Sequence, residues 1–453
     1  MAACEKITLP PDAASLLAAL HSAGFTAYVV GGCVRDSLLG RTPGDWDICT
    51  SARPAQIKRV FSACRQILTG EKHGTVTVIV GKTPYEITTY RVDGAYTDNR
   101  HPNGVRFVPD IRQDLSRRDF TVNAMAYAPG VELVDAFGGQ ADLQAGLIRC
   151  VGCPQDRFAE DALRILRALR FAAQLGFDLE ADTLAAARAL RDTVACVSAE
   201  RIFIELDKLL AGPAAGAVLA RYGAVLGGVL PEILPCIGCT QPGRWHCYDV
   251  WQHTAVAVQK LDTTGHTERS ARILRWAVLL HDMAKPLCRT LGTDGAAHFY
   301  GHNQRGTRLA HNILRRLKAP AYLIDEACAL VAVHDAPLPE DDPGILQMLG
   351  RSGATFLRRL CRVKCADLDA HAQTPAVAAR RVAVTTFAQR METLAQTGCY
   401  TIGQLQVGGG DVLACGIRPG PHVGEALQAL LQAVIEGRLP NERQALLDAL
   451  DRL

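Results

Sequence analysis

Two aspartates, Asp45 and Asp47, close a stretch that begins with a pair of glycines. Residues 31–50 read GGCVRDSLLGRTPGDWDICT, with Arg35 between the two features. Side chains two apart on a strand share a face, so the two carboxylates would repel each other unless a cation lies between them. Mg²⁺ prefers such oxygen ligands, glycines let a backbone approach a phosphate, and an arginine suits a triphosphate. The combination predicts metal-dependent phosphoryl or nucleotidyl transfer.

The elements that would position these residues are predicted around them. Strands are expected at 25–30 and around 46–49, with a short helix at 34–39 between them. Two further β-rich runs, TVTVIV at 75–80 and YEITTYRV at 85–92, are joined by a turn. Further along, the pattern is helical almost to the end. The predicted fold class is therefore α+β, with a small mixed sheet and helices in an N-terminal head and an all-α remainder.

Composition bounds the class of protein. The chain has 453 residues, 48% of them hydrophobic, and a formal net charge of +3. This length suggests roughly three or four domains, and the small charge places any nucleic-acid affinity in local clusters. The N-terminus has no long apolar run, and no stretch of about 18 apolar residues occurs. We expect a cytoplasmic protein with no membrane contact and no obligate protein partner.

Sixteen cysteines are scattered along the chain. Two CxxC pairs, Cys150/Cys153 and Cys236/Cys239, are too far apart for a zinc ribbon, whose second pair follows after about 15–20 residues. We expect free reduced thiols rather than a disulfide framework or a structural zinc site.

The stretch EDALRILRALR at 160–170 places charged residues among apolar ones and suggests how a base could be selected. On one continuous helix Glu160, Arg164 and Arg167 share a face, and Asp161 and Arg170 flank it. Cytosine and adenine both present an amino donor beside a ring-nitrogen acceptor, so Asp161 could accept from the amino group while Arg164 donates to the ring. Guanine and uracil present the reversed pattern. The alternative is an ion pair that only stabilises the helix.

A second metal-binding pattern lies in the C-terminal half of the chain. It consists of histidines and aspartates that occur in order along predicted helices, namely His253, His281, Asp282, His302, His334 and Asp367. An adjacent His-Asp pair on an apolar helix needs partners when buried. Imidazole and carboxylate together suit a transition metal better than Mg²⁺. The alternative is a helical domain whose histidines are satisfied core residues.

The first 180 residues resemble the class II tRNA nucleotidyltransferases and bacterial poly(A) polymerases. The motifs that carry the resemblance are GGCVRDSLLGRTPGDWDI, TGEKHGTVTVIV at 69–80, RVDGAYTDNRHPNGVRFV at 91–108, RRDFTVNAMAY at 117–127, DAFGGQADLQAGLIR at 135–149 and RFAEDALRILRALRFAAQLGF at 157–177. The later His/Asp series resembles the HD-superfamily phosphohydrolases, which some of these transferases carry fused to the head.

The resemblance implies a polymerase-β-like nucleotidyltransferase head and a set of site residues. Asp45 and Asp47 would be catalytic and hold Mg²⁺, and Glu86 is a candidate third acidic neighbour. The incoming nucleotide would be contacted by Gly32, Arg35, Arg118, Asp161, Arg164, Arg167 and Arg170. A transition metal in the HD site would be held by His253, His281, Asp282 and Asp367.

Two features favour CCA addition over poly(A) synthesis. The segment DGAYTDNRHP is similar to a loop that CCA-adding members carry, and the Arg-Arg-Phe sequence typical of the poly(A) branch is absent. We therefore expect addition of C, C and A to tRNA 3′ ends from CTP and ATP, with pyrophosphate released and an accessory phosphohydrolase activity in the HD site.

Three alternatives remain open at this point. They are a poly(A) polymerase, an HD phosphohydrolase with a relic transferase head, and a non-catalytic RNA-binding module. The expected domains are the head at 1–150, a helical neck and body at 151–240, the HD domain at 245–375 and a tRNA-binding helical tail at 376–453.

Overall fold

The computed structural model describes residues 7–94 and 104–452. Part of the predicted loop at 91–108, including Asp98, Arg100, His101 and Pro102, lies outside the described residues. The chain divides into two compact units, Met1–Leu234 and Pro235–Leu453. Within the described residues no helix is both long and apolar enough to span a membrane.

The first unit is built on a six-stranded mixed sheet of order β3-β4-β5-β2-β1-β8. Strands β2 and β5 are parallel, whereas β1 pairs antiparallel with both β2 and β8. Two smaller sheets pair β6 with β7 and β9 with β10. The strands are β1 Ala27–Val30, β2 Ile48–Thr50, β3 Arg65–Ile67, β4 Thr75–Val80, β5 Thr83–Thr89, β6 Arg91–Asp93, β7 Val105–Phe107, β8 Ala126–Tyr127, β9 Leu147–Ile148 and β10 Asp178–Leu179.

Among the described residues of this unit, ten α-helices pack around the sheet and continue beyond it. They are α1 Pro11–Ser22, α2 Gly32–Leu38, α3 Pro54–Val60, α4 Ile111–Ser116, α5 Gly139–Ala145, α6 Pro154–Glu160, α7 Leu163–Leu175, α8 Ala181–Ala189, α9 Ala199–Leu210 and α10 Ala215–Leu226. One core cluster beneath the sheet contains Val30, Cys49, Tyr90 and Leu115, all buried. The α+β class and the small mixed sheet are therefore confirmed.

The second unit is helical apart from one short hairpin. Its helices are α11 Val250–Lys260, α12 Glu268–Leu280, α13 Lys285–Cys288, α14 His302–Arg316, α15 Ala321–Val333, α16 Asp342–Asp369, α17 Pro375–Thr397, α18 Gly409–Ala414, α19 Pro421–Ile435 and α20 Arg443–Leu450. The hairpin joins β11 Thr290–Leu291 to β12 Ala297–His298. The expectation of an all-α remainder was wrong at β10, which pairs with β9, and again at this hairpin. Asp294-Gly295 is a hairpin turn signal, and Gly295 has φ +77°.

Two local predictions about the site elements were also wrong. The strand expected around 46–49 begins only at Ile48, so Asp45 and Asp47 lie in the extended segment that leads into β2. The single helix expected at 157–177 is two helices, since Asp161 is extended with φ −146° and ψ 102°. The Asp161 side chain accepts from the Leu163 backbone N–H at 3.1 Å, as a capping residue does, and so starts α7.

Candidate active site

Asp45 and Asp47 lie in the solvent-exposed segment that leads into β2, close to a third carboxylate. The register of β2 against β5 pairs Ile48 with Ile87, which brings Glu86 beside Asp47. Desolvation by the surrounding protein, with the charges of Asp45 and Glu86, raises the pKa of Asp47 to about 6, although Arg118 opposes the shift. The Asp47 side chain still reaches the surface. The site therefore concentrates negative charge at an accessible edge, as a divalent cation requires.

Of the two glycines, Gly31 is the position that requires glycine, and Gly32 is not. Gly31 has φ +79°, and a Cβ built on it would lie 2.9 Å from Nη1 of Arg118. A Cβ on Gly32 would meet only Nη2 of Arg35 at an ordinary 3.7 Å. Gly31 is thus the position where a side chain would displace Arg118, and the sequence alone did not show that this position requires a positive φ.

Arg35 is held by two neighbours. Its guanidinium donates to both carboxylate oxygens of Asp36, at 2.8 and 3.0 Å, and to Oδ1 of Asn123 at 2.7 Å. Asn123 lies in the RRDFTVNAMAY motif, 88 residues further along the chain, where residue spacing did not identify it as a partner of Arg35. Its contact joins the glycine motif to that second motif.

Arg118 lies beneath the glycine turn with a buried carboxylate. Nη2 of Arg118 is 3.5 Å from Oδ2 of Asp114, and Nη1 donates to the backbone oxygen of Asn123 at 3.5 Å. Asp114 also pairs with Arg117 at 2.9 Å. Burial alone would raise the pKa of Asp114, but the two arginines outweigh it and lower the pKa. Nε of Arg118 is buried without a hydrogen-bond partner, so the group has a donor left for a ligand.

The arginines of α7 are each fixed by a different carboxylate. Arg167 donates to Oδ2 of Asp119 at 2.8 and 2.5 Å, and Arg170 donates to Oε2 of Glu205 at 2.5 Å. The guanidinium groups of Arg35, Arg167 and Arg170 also lie 5.2, 5.5 and 3.9 Å from the centre of the Phe171 ring. Three arginines from two motifs therefore gather around one aromatic ring.

Asp161 and Arg164 do not form the side-chain pair that a continuous helix would allow. Asp161 pairs with Arg201 of α9 at 2.7 Å. Arg164 pairs with Glu160 at 2.5 Å and donates to the backbone oxygens of Arg157 and Arg117 at 3.1 and 3.3 Å. The break at Asp161 separates the two side chains, so the simple helix-stabilising ion pair does not exist. Arg201 is a partner that residue spacing did not identify, whereas Glu160 and Arg164 are four residues apart and were predicted to share a face.

A second group of ligand-type side chains meets inside the Pro235–Leu453 unit. This histidine cluster consists of His253 on α11, His281 and Asp282 after α12, His302 on α14, His334 after α15 and Asp367 on α16. Nε2 of His253 lies 2.9 Å from Oδ1 of Asp367, and Nε2 of His281 lies 3.2 Å from Oδ2 of Asp282. The four residues predicted as HD-site ligands thus come together, with their ligand atoms within 4.8 Å of one another.

Backbone carbonyls orient the imidazoles of the cluster. Nδ1 of His253 donates to the carbonyl of Ala370 at 3.2 Å. Nδ1 of His281 donates to the carbonyl of Val278 at 2.7 Å. A carbonyl oxygen only accepts, so each Nδ1 carries the proton and each Nε2 points inward, as in sites where the other ring nitrogen binds a metal. Burial lowers the pKa of His253 and keeps its ring neutral.

The centre of the cluster carries polar atoms without hydrogen-bond partners. They are Oδ1 of Asp282, a residue that is 1% exposed, and Nε2 of His281. Nζ of Lys285 lies 2.7 Å from Oδ2 of Asp282 and supplies one positive charge. Burial lowers the pKa of His281, but Asp282 and Asp367 outweigh it and raise the pKa to about 10. The two carboxylates therefore favour positive charge at this position, which a proton on His281 or a transition metal in its place would supply.

A cavity of about 980 Å³ opens onto the cluster. Asp282, His302, His334 and Asp367 reach it, and Arg380 lines its outer part. In contrast, neither CxxC pair contributes to any of the three groups of potential metal ligands found among the described residues. Every cysteine there is free, and burial raises the pKa of Cys236 to about 12.

Three family models match separate parts of the chain. The poly(A) polymerase head domain matches residues 27–149, and the probable RNA- and SrmB-binding site of polymerase A matches residues 176–234. A model described as tRNA nucleotidyltransferase domain 2, putative, matches residues 302–450.

Full-length relatives extend this match. A CCA-adding enzyme of Limosilactobacillus fermentum is 34% identical over 98% of both chains, and one of Geobacillus kaustophilus is 36% identical over 96% of this chain and 95% of its own. The solved CCA-adding enzyme of Bacillus stearothermophilus in complex with CTP is 31% identical, with a TM-score of 0.70 and 98% of both chains covered. The Thermotoga maritima enzyme complexed with tRNA, at 20% identity and a TM-score of 0.61, shares the fold. The chain therefore belongs to the family of CCA-adding enzymes.

Proposed function

We propose that this chain adds C, C and A to the 3′ end of tRNA without a template, taking CMP from CTP and AMP from ATP and releasing pyrophosphate. The observation that carries the proposal is the full-length similarity to an enzyme solved with CTP. Relatives matched over nearly the whole chain are named CCA-adding enzymes, which favours this activity over poly(A) synthesis. A cytoplasmic location is part of the proposal, because tRNA maturation and its nucleotides are found there.

Asp45 and Asp47 would hold the divalent ions of the transfer reaction. Their donors are all carboxylate oxygens, and both side chains are exposed, so water and substrate oxygens can complete the six ligands that Mg²⁺ demands. Bound ions would supply activation of the RNA 3′-hydroxyl and charge neutralisation for the triphosphate. Together with Glu86, these carboxylates place the reacting end of the RNA at the start of β2.

The arginines described above would bind the nucleotide, and their carboxylate partners would hold the guanidinium groups in a fixed orientation. Arg118 has its buried Nε–H free, and Arg35 and Arg167 lie around Phe171. These groups suit the triphosphate and ribose. Gly32, at the start of α2, and Arg170 complete the proposed set.

Asp161 and Arg164 remain able to read a base edge in their observed pairings. A guanidinium has five N–H donors, and Arg164 uses three in its bonds to Glu160, Arg157 and Arg117. Two donors are left for a ring nitrogen. The Asp161 carboxylate keeps lone pairs for an amino group after pairing with Arg201. An unpaired buried group would then reject uracil and guanine.

Incorporation of labelled CMP into a tRNA lacking its terminal CCA tests this proposal. Asp47→Ala is expected to lower the rate by at least about 100-fold, the scale of losing a preorganised electrostatic group. Asp182→Ala, an exposed aspartate on α8, is the matched control and should keep the wild-type rate. Equal rates for Asp47→Ala and wild type would contradict the assigned role.

The remaining divisions of the chain are proposals of the same kind. We retain the head at 1–150, the neck and body at 151–240, the HD domain at 245–375 and the tail at 376–453. The helical parts would hold tRNA by shape and phosphate contacts rather than by sequence. The match of residues 176–234 to a probable RNA-binding model supports this for the neck and body.

The histidine cluster favours a second activity, a metal-dependent phosphohydrolase. The buried Oδ1 of Asp282 carries this proposal, because it has no hydrogen-bond partner and faces Nε2 of His302 and of His334, each 3.6 Å away. His253, His281, Asp282 and Asp367 would hold the ion, which would supply an activated water. Hydrolysis of p-nitrophenyl phosphate by the full chain with Mn²⁺, lost in Asp282→Asn while CMP addition is kept, is the expected result. Equal hydrolysis by Asp282→Asn would contradict it.

A further inference from the structure

A second cavity of the Pro235–Leu453 unit is lined by α16, α17, the start of α12 and the loop that precedes α12. Its volume is about 650 Å³, which lies within the range of small-molecule sites. Among the described residues, only Val384 of α17 lines both this cavity and the one over the histidine cluster. The cavity is therefore a separate candidate site, which neither proposed activity uses.

Four arginines line this cavity, and we call it the arginine pocket. They are Arg358, Arg359 and Arg362 of α16 and Arg381 of α17. Residues four apart on a helix share a face, so Arg358 and Arg362 lie side by side. Four like charges around one cavity repel each other, and the fold must compensate for this repulsion.

A carboxylate pairs with each of the four guanidinium groups. The ion pairs are Arg358–Glu392 at 2.6 Å, Arg362–Asp262 at 2.5 Å, Arg381–Asp369 at 3.0 Å and Arg359–Glu326. Of these four carboxylates, only Glu392 belongs to the lining of the cavity. The lining thus carries four arginines and one glutamate, and its excess positive charge favours an anion inside the pocket.

Arg359 is the recessed member of the four. Its side chain is 10% exposed, whereas the other three are 38 to 46% exposed. Its Nε donates to Oγ of Ser270 at 2.9 Å and its Nη1 donates to Glu326. A guanidinium has five N–H donors, so three are left. A small free anion can reach this recessed group, while the phosphates of an RNA helix would contact mainly the exposed arginines.

The pKa of His266 reports the positive charge of the pocket. His266 lies in the lining, and its Nδ1 is 2.9 Å from Oγ of Ser270. Burial lowers the pKa of His266, and Arg362 and Arg359 lower it further. The imidazole is therefore neutral at pH 7, because the arginines already disfavour another cation there.

The lining also restricts the kind of anion. No phenylalanine, tyrosine or tryptophan is among the described residues that line the pocket, so a nucleobase has no ring to stack on. Guanidinium groups match the geometry of phosphate oxygens, and several of them suit an anion with several charges. The hydroxyl groups of Thr355 and Thr385 add neutral donors. These features favour a ligand that is recognised by its phosphates alone.

We propose that the arginine pocket binds an oligophosphate, a compact anion of two or more linked phosphate groups. Arg359 and Arg362 bind its oxygens. Glu392 limits the affinity, because it neutralises Arg358 and repels the anion. The inference goes beyond the proposed function and depends on neither nucleotidyl transfer nor hydrolysis. The pyrophosphate that the proposed transfer releases is the smallest ligand of this class.

Titration calorimetry of the full chain with tripolyphosphate tests the pocket. EDTA is present, so that no metal ion holds the anion at another site. We expect a binding event that Arg362→Ala weakens by about 10- to 100-fold, the scale of one hydrogen bond to a charged group. Arg351→Ala is the matched control, since Arg351 is an exposed arginine of α16 outside the lining. Binding by the arginines of the first unit would survive Arg362→Ala unchanged.

Glu392→Gln tests the direction of the effect. Removing the negative charge from the lining is expected to tighten tripolyphosphate binding by about 2- to 5-fold, the scale of one partly exposed charge pair. If Glu392 only supports the fold, the variant binds equally or more weakly, and that result would overturn the proposal. A titration in which no event responds to Arg362→Ala would overturn it as well.

Filter binding of tRNA separates the pocket from an RNA-backbone contact. We expect Arg362→Ala to bind tRNA as the wild-type chain does. Weaker tRNA binding by Arg362→Ala, together with no oligophosphate binding by the wild-type chain, would assign these arginines to the RNA backbone and overturn the proposal.

Discussion

Asp119 holds the most exposed arginine of α7 in position. It is buried, it accepts from the backbone N–H of Phe120, and it receives two bonds from Arg167, whose side chain is 35% exposed. The sequence pattern identified Arg167 but not its partner in this role, since the two residues are 48 positions apart. Helical spacing in the sequence identifies the arginines of α7. The carboxylates that orient those arginines lie in other motifs, so the same spacing does not identify them.

Asp119→Asn tests this positioning role. The amide cannot balance the guanidinium, so we expect about 1–2 kcal/mol less stability and a raised KM for CTP. Burial opposes the shift, but Arg167 lowers the pKa of Asp119. The carboxylate therefore stabilises the fold above its unfolded pKa, near 3.9. The wild-type advantage in urea unfolding should persist at pH 7 and shrink as the pH falls below about 4. An equal advantage at pH 3 and pH 7, or one that Asp192→Asn reproduces at an exposed site, would contradict the role.

Gly31→Ala tests the glycine turn. The strained backbone is expected to cost about 1–3 kcal/mol, and the new Cβ would push Arg118 by its Nη1 atom. Gly40→Ala is the matched control, because Gly40 has φ +69° but no atom within 4 Å of an added Cβ. Thermal unfolding should show both variants destabilised, and CMP addition should fall markedly only in Gly31→Ala. Parallel losses of activity in the two would refute a specific effect on Arg118.

At the scale of secondary-structure elements, local sequence patterns predicted strand β4 but missed the break between helices α6 and α7. The alternating run TVTVIV became β4 Thr75–Val80, because its β-branched residues pack on a half-buried sheet face. The helical pattern of residues 157–175 predicts one continuous helix, since neither glycine nor proline occurs before Gly176. The interruption arises instead at Asp161, whose side chain caps a new helix and reaches Arg201. That is a tertiary contact, which local periodicity cannot reveal.

Arg201→Ala tests the function of the break between α6 and α7. Asp161 would lose the partner that orients its carboxylate, a charge-assisted bond worth about 1.5–3 kcal/mol. Discrimination of CTP against UTP is expected to fall by roughly 10- to 100-fold. Single-nucleotide incorporation rates measure the ratio, and Arg188→Ala, exposed on α8, is the control. Unchanged discrimination would show that Asp161 is aimed without α9.

At the scale of the whole molecule, the two units carry two candidate sites that differ in their ligand-type side chains. The carboxylates of the first unit are exposed and suit Mg²⁺, while the histidine cluster of the second is largely buried and suits a transition metal. The order of His and Asp along the sequence predicted which residues meet in the cluster. It did not show that Asp282 is shared between two groups, because the direction of each carboxylate oxygen depends on the packing of five helices.

Metal removal should affect the stability of the second unit. A metal ion whose free concentration is 100 times its Kd would raise the free energy of unfolding by about 2.7 kcal/mol. Calorimetry is expected to show an unfolding transition whose midpoint temperature falls on chelation and is restored when Mn²⁺ is added. Asp282→Asn should remove this response. Superimposable traces with and without chelator would contradict metal binding by the cluster.

The most direct test of the central claim is primer extension on a tRNA that ends at its discriminator base. The proposed function predicts three added residues with CTP and ATP together, none with GTP or UTP, and no product from Asp47→Ala. Long tails made from ATP alone would show a poly(A) polymerase instead. Absence of any addition by the wild-type chain would contradict the transferase activity itself.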